Sequence, residues 1–155
     1  MTPAGVALVK KYEGLRLRVY RCPAGYPTIG YGHRVPDMTQ PPITVAQAEL
    51  WLQDDLAVAE EGALALAPDL GACPDRLAAL TDLVFNIGRG ALDGENPYDP
   101  LDDATVVRRL REQRWPEAAA AFRRWCHARV QGQLVQLPGL VIRREVGARW
   151  IETGC

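Results

Sequence analysis

A chain of 155 residues, 48% hydrophobic and 24% charged, has the length and make-up of one globular domain whose core needs no staples. No stretch approaches the ~18 consecutive apolar residues of a membrane span; two histidines out of ligand spacing, and four widely and irregularly spaced cysteines, point away from a metal site and from a disulfide-built miniature. Residues 1–36 carry six basic groups against one acidic, residues 37–103 two against fourteen, and residues 104–155 ten against four, so the net charge of −1 conceals two basic ends around an acidic middle.

Residues 4–14 predict a short helix with Val6, Val9 and Tyr12 on one face and Gly14 as its stop. The N-terminus has no basic region ahead of an apolar run and no small-residue cleavage site, so a cytoplasmic chain without a signal peptide is expected. Residues 17–35 change character. LRVYRC is strand-like, PAG is a turn and PTIGYGHRV is rich in glycine and β-formers, which predicts a hairpin or a three-stranded sheet. PDMTQPP is a loop.

Thr44 opens the next helix, with Gln47 three residues on as a capping box. Leu52, Leu56, Ala59, Ala63 and Leu66 recur at helical spacing, and Pro68 ends the run. This long helix is expected to link two lobes. Residues 75–87 predict another helix with Leu77, Leu80, Val84 and Ile87 inward, closed by Gly88 and Gly90. The acidic, turn-rich segment 93–103 reads as a loop. Asp103 can cap a helix that turns Val106, Val107 and Leu110 inward. Pro116 suits the first turn of a helix running to about Cys126, burying Ala119, Phe122 and Trp125. HARVQGQLVQLPG is irregular, a turn or a small hairpin. The last helix starts near Gly139 and is expected to bury Ile142, Val146 and Trp150.

The plan is α+β and mostly helical: an N-terminal lobe with a small sheet over about 1–43, a linking helix over about 44–66, and a helical lobe over about 67–155, in a single domain. If the basic ends meet, they make a surface that concentrates an anionic polymer. Peptidoglycan, with its stem-peptide carboxylates, and nucleic acid both qualify.

Glu13 stands at the end of an apolar-faced helix, just before the glycine-rich sheet. A carboxyl in a cleft between lobes is desolvated, which favours its protonated form. Cleavage of a glycosidic bond needs such a proton on the leaving oxygen. A plain helix-terminal glutamate paired with Arg16 or Arg18 would look the same in isolation.

The order around it is Glu13-Gly14-Leu15-Arg16-Leu17-Arg18-Val19-Tyr20-Arg21-Cys22, then Thr28-Ile29-Gly30-Tyr31-Gly32-His33. This resembles the phage-type lysozymes, whose signature is Glu, eight residues, Asp or Cys, five residues, Thr, then Ile-Gly-x-Gly-His; Glu13, Cys22 and Thr28 fit both spacings. Leu83-Val84-Phe85-Asn86-Ile87-Gly88 is similar to the family's stretch lining the cleft. Ala104 to Leu110, Phe122 to Trp125 and Pro138 to Glu145 resemble its later blocks, so the likeness covers nearly the whole chain. The loop 93–103 looks like an insertion.

The resemblance implies a lysozyme-like fold and a muramidase that hydrolyses the β-1,4 bond between N-acetylmuramic acid and N-acetylglucosamine, causing host lysis. Glu13 would be the general acid. Thr28 would hold a water on the opposite face of the sugar by hydrogen bonding. Cys22 stands where many members have Asp. As a thiolate, favoured by nearby Arg18 and Arg21, it would steady positive charge and help the water. As a nucleophile it would make the enzyme retaining rather than inverting; the family's water-holding Thr favours inversion. Tyr20, Gly30, Tyr31, Gly32 and Asn86 are candidates to line the sugar site. His33 is expected to hold structure through a carboxylate or carbonyl partner. One of Arg143 and Arg144 orients Glu13, and the sequence does not choose between them.

The resemblance further implies no cofactor and no metal, bacterial peptidoglycan as partner, and no nucleic acid, since the Arg-rich C-terminal helices match no reading motif. A monomer is expected, made in the host cytoplasm and reaching the wall in the periplasm once a holin opens the membrane. A muramidase effector or toxin would share the chemistry. A non-catalytic wall-binding module would keep the scaffold without turnover.

Overall fold

The computed structural model describes residues 1–22, 25–87, 105–130 and 133–155. The Pro23-Ala24 turn, the Gly88 and Gly90 stop, the loop 93–103 and the Asp103 cap lie outside the described residues.

Helix α1 (Pro3–Glu13) begins where the Thr2 hydroxyl accepts the Gly5 N–H at 3.2 Å, with proline in its first turn. It ends at Gly14, whose φ of +68° turns the chain away while its N–H still donates to the Lys10 carbonyl. Leu8 and Val9 are buried, whereas Val6 and Tyr12, expected on the inner face, are half-buried. α1 packs on the later helices α3 (Pro74–Ile87) and α6 (Pro138–Thr153).

The β-rich segment forms a three-stranded antiparallel sheet, β1 (Arg16–Arg21), β2 (Pro27–Gly30) and β3 (His33–Arg34), in that spatial order. Tyr20 pairs with Thr28 and Thr28 with Arg34, so these three side chains share one face. Helix α2 (Val45–Leu66) starts as read: the Thr44 hydroxyl accepts the Gln47 N–H at 3.1 Å. Its predicted stripe of Leu52, Leu56, Ala59, Ala63 and Leu66 is buried throughout. α2 touches β2 and β3 as well as α3, and so bridges the sheet to the helices.

A 3-10 turn (Pro68–Ala72) leads into α3, which is buried continuously from Leu77 to Val84 and forms the centre of the helical part. Ile87, expected inward, is instead 40% exposed. Helices α4 (Thr105–Arg111) and α5 (Trp115–Arg123) follow, then the hairpin β4 (His127–Val130) and β5 (Gln133–Gln136), then α6. Val106, Val107, Leu110, Ala119 and Phe122 are buried as predicted, and Trp125 is half-buried. α5 stops three residues before Cys126 because Arg124 and Trp125 donate to the Ala121 and Phe122 carbonyls, closing the helix with a tighter turn.

The largest correction falls on α6. Its buried residues are Arg143, Arg144, Gly147, Ala148 and Ile151; Ile142 is 57% exposed, and Val146 and Trp150 are half-buried. The apolar period pointed to the wrong face because the two arginines turn inward onto an acidic partner. Gly147 is needed there: a Cβ would stand 2.6 and 2.8 Å from ring carbons of the buried Phe122. Gly147→Ala is expected to destabilise by about 2 kcal/mol, the clash outweighing the ~1 kcal/mol gained in helix propensity. A fall in the urea midpoint at unchanged slope would register it.

Cys73 and Cys155 are joined in a disulfide across 82 residues, their Cα atoms 5.3 Å apart, which ties the C-terminus to the start of α3. A cross-link of that span removes about 4 kcal/mol of chain entropy from the unfolded state.

Candidate active site

A cleft of about 790 Å³ lies between the sheet on one side and α2 and α3 on the other. Six of the eight expected site residues line it: Glu13, Tyr20, Cys22, Thr28, Gly32 and Asn86. Gly30 and Tyr31 do not. Gly30 is buried against Ala48 and Ile43, where a Cβ would meet side-chain carbons at 3.6 and 3.7 Å. Tyr31 packs beside Val9, Leu52 and Leu56 and donates its hydroxyl to Glu49 at 2.9 Å. Gly30 leaves the strand's alternation through its φ of +66°, and Tyr31 lies in the turn beyond it.

Glu13 enters the cleft from the end of α1. Its side chain is 22% exposed, and Oε1 accepts a hydrogen bond from Arg143 Nη1 at 2.7 Å. Of the two candidate arginines, the structure therefore selects Arg143. Oε2 is turned toward Gly32, where a side-chain carbon would stand 3.6 Å away. Gly32 has φ of +96°, so both its conformation and its lack of a side chain keep the space beside Oε2 open.

Arg143 is itself locked. Its Nε donates to both oxygens of Asp82, at 2.9 and 3.1 Å. Its Nη2 lies 2.8 Å from Asp82 Oδ1 as an ion pair, off the direction of a hydrogen bond. Arg144 Nη1 donates to the other Asp82 oxygen at 3.2 Å, Nε to the Trp125 carbonyl at 3.0 Å, and Nη2 to Asn86. Burial alone would loosen the proton on Arg143, but Asp82 and then Glu13 more than offset it, and its affinity for the proton rises. Arg144 is pushed down to about 10 by burial, which still leaves it charged near neutral pH. Two buried cations thus share one buried carboxylate, and Glu13 stands at the outer edge of the same cluster.

The sheet supplies the other side. Thr28 is 3% exposed and donates its hydroxyl proton to the Tyr26 carbonyl at 2.9 Å. Its lone pairs are left to accept a hydrogen bond from within the cleft. Cys22 follows β1 and is half-buried; its N–H donates to the Tyr26 carbonyl and its own carbonyl accepts from Gly25, so a tight turn fixes its backbone. Tyr20 sits beside both walls. Burial raises its pKa above the ordinary value, with further contributions from Glu13 and Cys22 opposed by Arg16, so it remains a hydroxyl donor.

His33 behaves as expected, with Nδ1 2.9 Å from Asp55 and its ring stacked on Trp51 at 4.6 Å between centroids. Phe85, which lies in the stretch expected to line the cleft, lines it; Asp55 and Arg34 also line it and were not singled out from the sequence. Nor was Asp82, although an acidic residue inside the apolar run of α3 was a visible anomaly. Among the described residues, no group of three or more His, Cys, Asp or Glu side chains is placed to hold a metal ion, and no helix is long and apolar enough to cross a membrane.

Comparison with known proteins agrees with this geometry. The phage lysozyme family matches residues 10–146, a range that holds Glu13, Cys22, Thr28 and Arg143. The endolysin of Acyrthosiphon pisum secondary endosymbiont phage 1 is 36% identical over 141 residues, covering 91% of this chain and 90% of that protein. Among solved structures, the muramidase domain of SpmX from Asticaccaulis excentricus has a TM-score of 0.78 at 32% identity, over 98% of this chain and 97% of that one. The endolysin from Escherichia coli O157:H7 phage FAHEc1 has a TM-score of 0.73 at 29% identity, over 97% and 91%. A likeness that runs through sheet, cleft and helices alike leaves one assignment: the chain belongs to the phage lysozyme family, the endolysins, glycoside hydrolases of bacterial peptidoglycan.

Proposed function

We propose that Glu13, Cys22 and Thr28 are the catalytic residues and that they cleave the β-1,4 bond between N-acetylmuramic acid and N-acetylglucosamine with inversion. The observation that carries this is the meeting of all three in one cleft, Glu13 arriving on a helix, Thr28 on the sheet and Cys22 just after its first strand. Tyr20, Gly32 and Asn86 line the sugar site, while Gly30 and Tyr31 support the sheet behind it. The chain works as one domain, with the cleft between a sheet lobe and a helical lobe bridged by α2.

In the reaction, Glu13 gives the proton on Oε2 to the glycosidic oxygen as the bond to the sugar carbon breaks. Positive charge grows on that carbon. A water donating to the Thr28 hydroxyl oxygen is held on the opposite face, with a lone pair aimed at the carbon. As its oxygen bonds, its second proton passes to the Cys22 thiolate. The product carries a new reducing end, and exchange of a proton between Cys22 and Glu13 through solvent restores the enzyme. The protons are carried by the chain's own groups, so the reaction as written needs no cofactor. The protein acts as a monomer, in the periplasm, after a holin has opened the membrane.

End-group analysis of digested peptidoglycan tests the bond. Reducing N-acetylmuramic acid is expected; reducing N-acetylglucosamine would mean that the other linkage is cut. Cys22 has its own test. Cys126 is buried and Cys73 and Cys155 are joined, so mild alkylation of the native protein falls on Cys22. Alkylation, or Cys22→Ala, is expected to lower kcat by about 100-fold, whereas Cys22→Asp keeps most activity. An unchanged rate after complete alkylation would make Cys22 a bystander.

A further inference from the structure

The basic N-terminal region is not used up by the cleavage reaction. Arg16, Arg18, Arg21 and Arg34 all lie on the three-stranded sheet, and among the described residues none of them is in an ion pair. Arg34 lies over the Tyr26 ring and Arg21 Nη1 donates to the Gly25 carbonyl at 3.0 Å, but Arg16 and Arg18 are differently placed. The strand pairing slips register between Arg16 and Tyr20, and a shallow groove of about 450 Å³ opens along β1 there, lined by Arg16 to Tyr20. Arg16 and Arg18 are both exposed.

Two features make this groove part of a larger site. Tyr20 lines both the groove and the catalytic cleft, so the two openings adjoin at this residue. The Arg16 guanidinium lies over the Tyr20 ring, 4.5 Å from its centroid. A guanidinium held on an aromatic ring offers a fork of N–H donors whose shape matches a carboxylate.

We propose that the groove along β1 is a binding subsite for a carboxylate carried by the glycan strand beyond the cleaved bond, with Arg16 and Arg18 as its ligands. This rests on the reading of the cleft as a muramidase site. The carboxylate belongs either to the lactyl group of a muramic acid or to a stem peptide. Both present the same chemistry to the arginines.

The test compares wild type with the double variant Arg16→Gln/Arg18→Gln on soluble glycan fragments bearing stem peptides, and on the same fragments after enzymatic removal of the peptides. KM of the variant is expected to rise about fivefold, the effect of two exposed charge pairs, while kcat moves less than twofold. The difference is expected to vanish near 0.5 M salt, because exposed pairs are screened, and Arg16→Lys/Arg18→Lys is expected to recover only part of it. A rise confined to the peptide-bearing fragments identifies the stem peptide as the ligand. A rise confined to the peptide-free fragments, where hydrolysis of the amide has freed the lactyl carboxylate, identifies that group; a rise on both shows that the groove takes either carboxylate. An unchanged KM on both substrates, or a loss that falls on kcat and ignores salt, overturns the subsite. Wild-type protein that cleaves neither substrate would instead overturn the muramidase reading beneath it.

Discussion

Glu13→Gln is expected to abolish wall lysis while leaving the protein folded. The amide has the shape of the carboxyl and can still accept the hydrogen bond from Arg143 Nη1. It has no acidic proton to give to the leaving oxygen, and loss of a general acid at a poor leaving group is expected to cost at least about 10³-fold in rate. Its NH2 group also places donors where the carboxyl offers acceptors, at the edge of a cluster that holds two buried cations. That change is expected to lower stability by about 1 to 2 kcal/mol, too little to unfold a domain of this size. Turbidity clearing of purified walls and circular dichroism on the same sample separate the two effects. A folded variant that clears walls at the wild-type rate would remove Glu13 from the mechanism.

The second large effect belongs to a residue that never reaches the substrate. Asp82 is wholly buried and is the shared partner of two buried arginines. Among the described residues, Asp82→Ala leaves Arg143 with Glu13 as its one remaining side-chain hydrogen-bond partner and Arg144 with only the neutral acceptors Trp125 and Asn86. Breaking a buried pair in this way is expected to cost about 3 to 5 kcal/mol, which lowers Tm by about 10 °C for a chain of this length. Activity falls as well, because Arg143 loses the bifurcated hydrogen bond from Nε that aims it at Glu13. The same reasoning predicts a partial rescue. Asp82→Leu combined with Arg144→Met replaces a charged pair with packing, and is expected to be more stable than Asp82→Ala alone. Asp82→Ala within about 1 kcal/mol of wild type would mean that the buried charges find other partners.

How far the sequence could be read depended on what each helix buries. The stripe on α2 was legible because all five of its inward residues are apolar and end at a proline. The face of α6 was not, because its deepest side chains are Arg143 and Arg144, which any hydrophobic period assigns to solvent. The missing clue was on another helix: Asp82, among the apolar residues of α3, is the partner that lets two arginines go inside. The same physics hid the link between Glu13 and Arg143, which are 130 residues apart.

In the site, the spacing of Glu13, Cys22 and Thr28 led directly to one cleft, since a helix end followed by a hairpin brings those positions together. Gly30 and Tyr31, expected at the sugar site, are absent from the cleft's lining for a local reason. A motif shows which residues recur, but not which way each faces, and here Thr28 faces the cleft while Gly30 packs on Ala48 and Tyr31 bonds to Glu49. Asp55 was reachable in principle, because His33 was expected to have a carboxylate partner, but the partner lies 22 residues on and on another element.

In the proposed mechanism Glu13 stands on one side of the sugar and a water, held by Thr28 and Cys22, on the other. The most direct test is the configuration of the N-acetylmuramic acid end at the moment it is formed, read by proton NMR before the anomers equilibrate. Single displacement by water predicts the α-anomer as the first product. The β-anomer as first product would contradict the account and make Cys22 a covalent nucleophile in a double displacement.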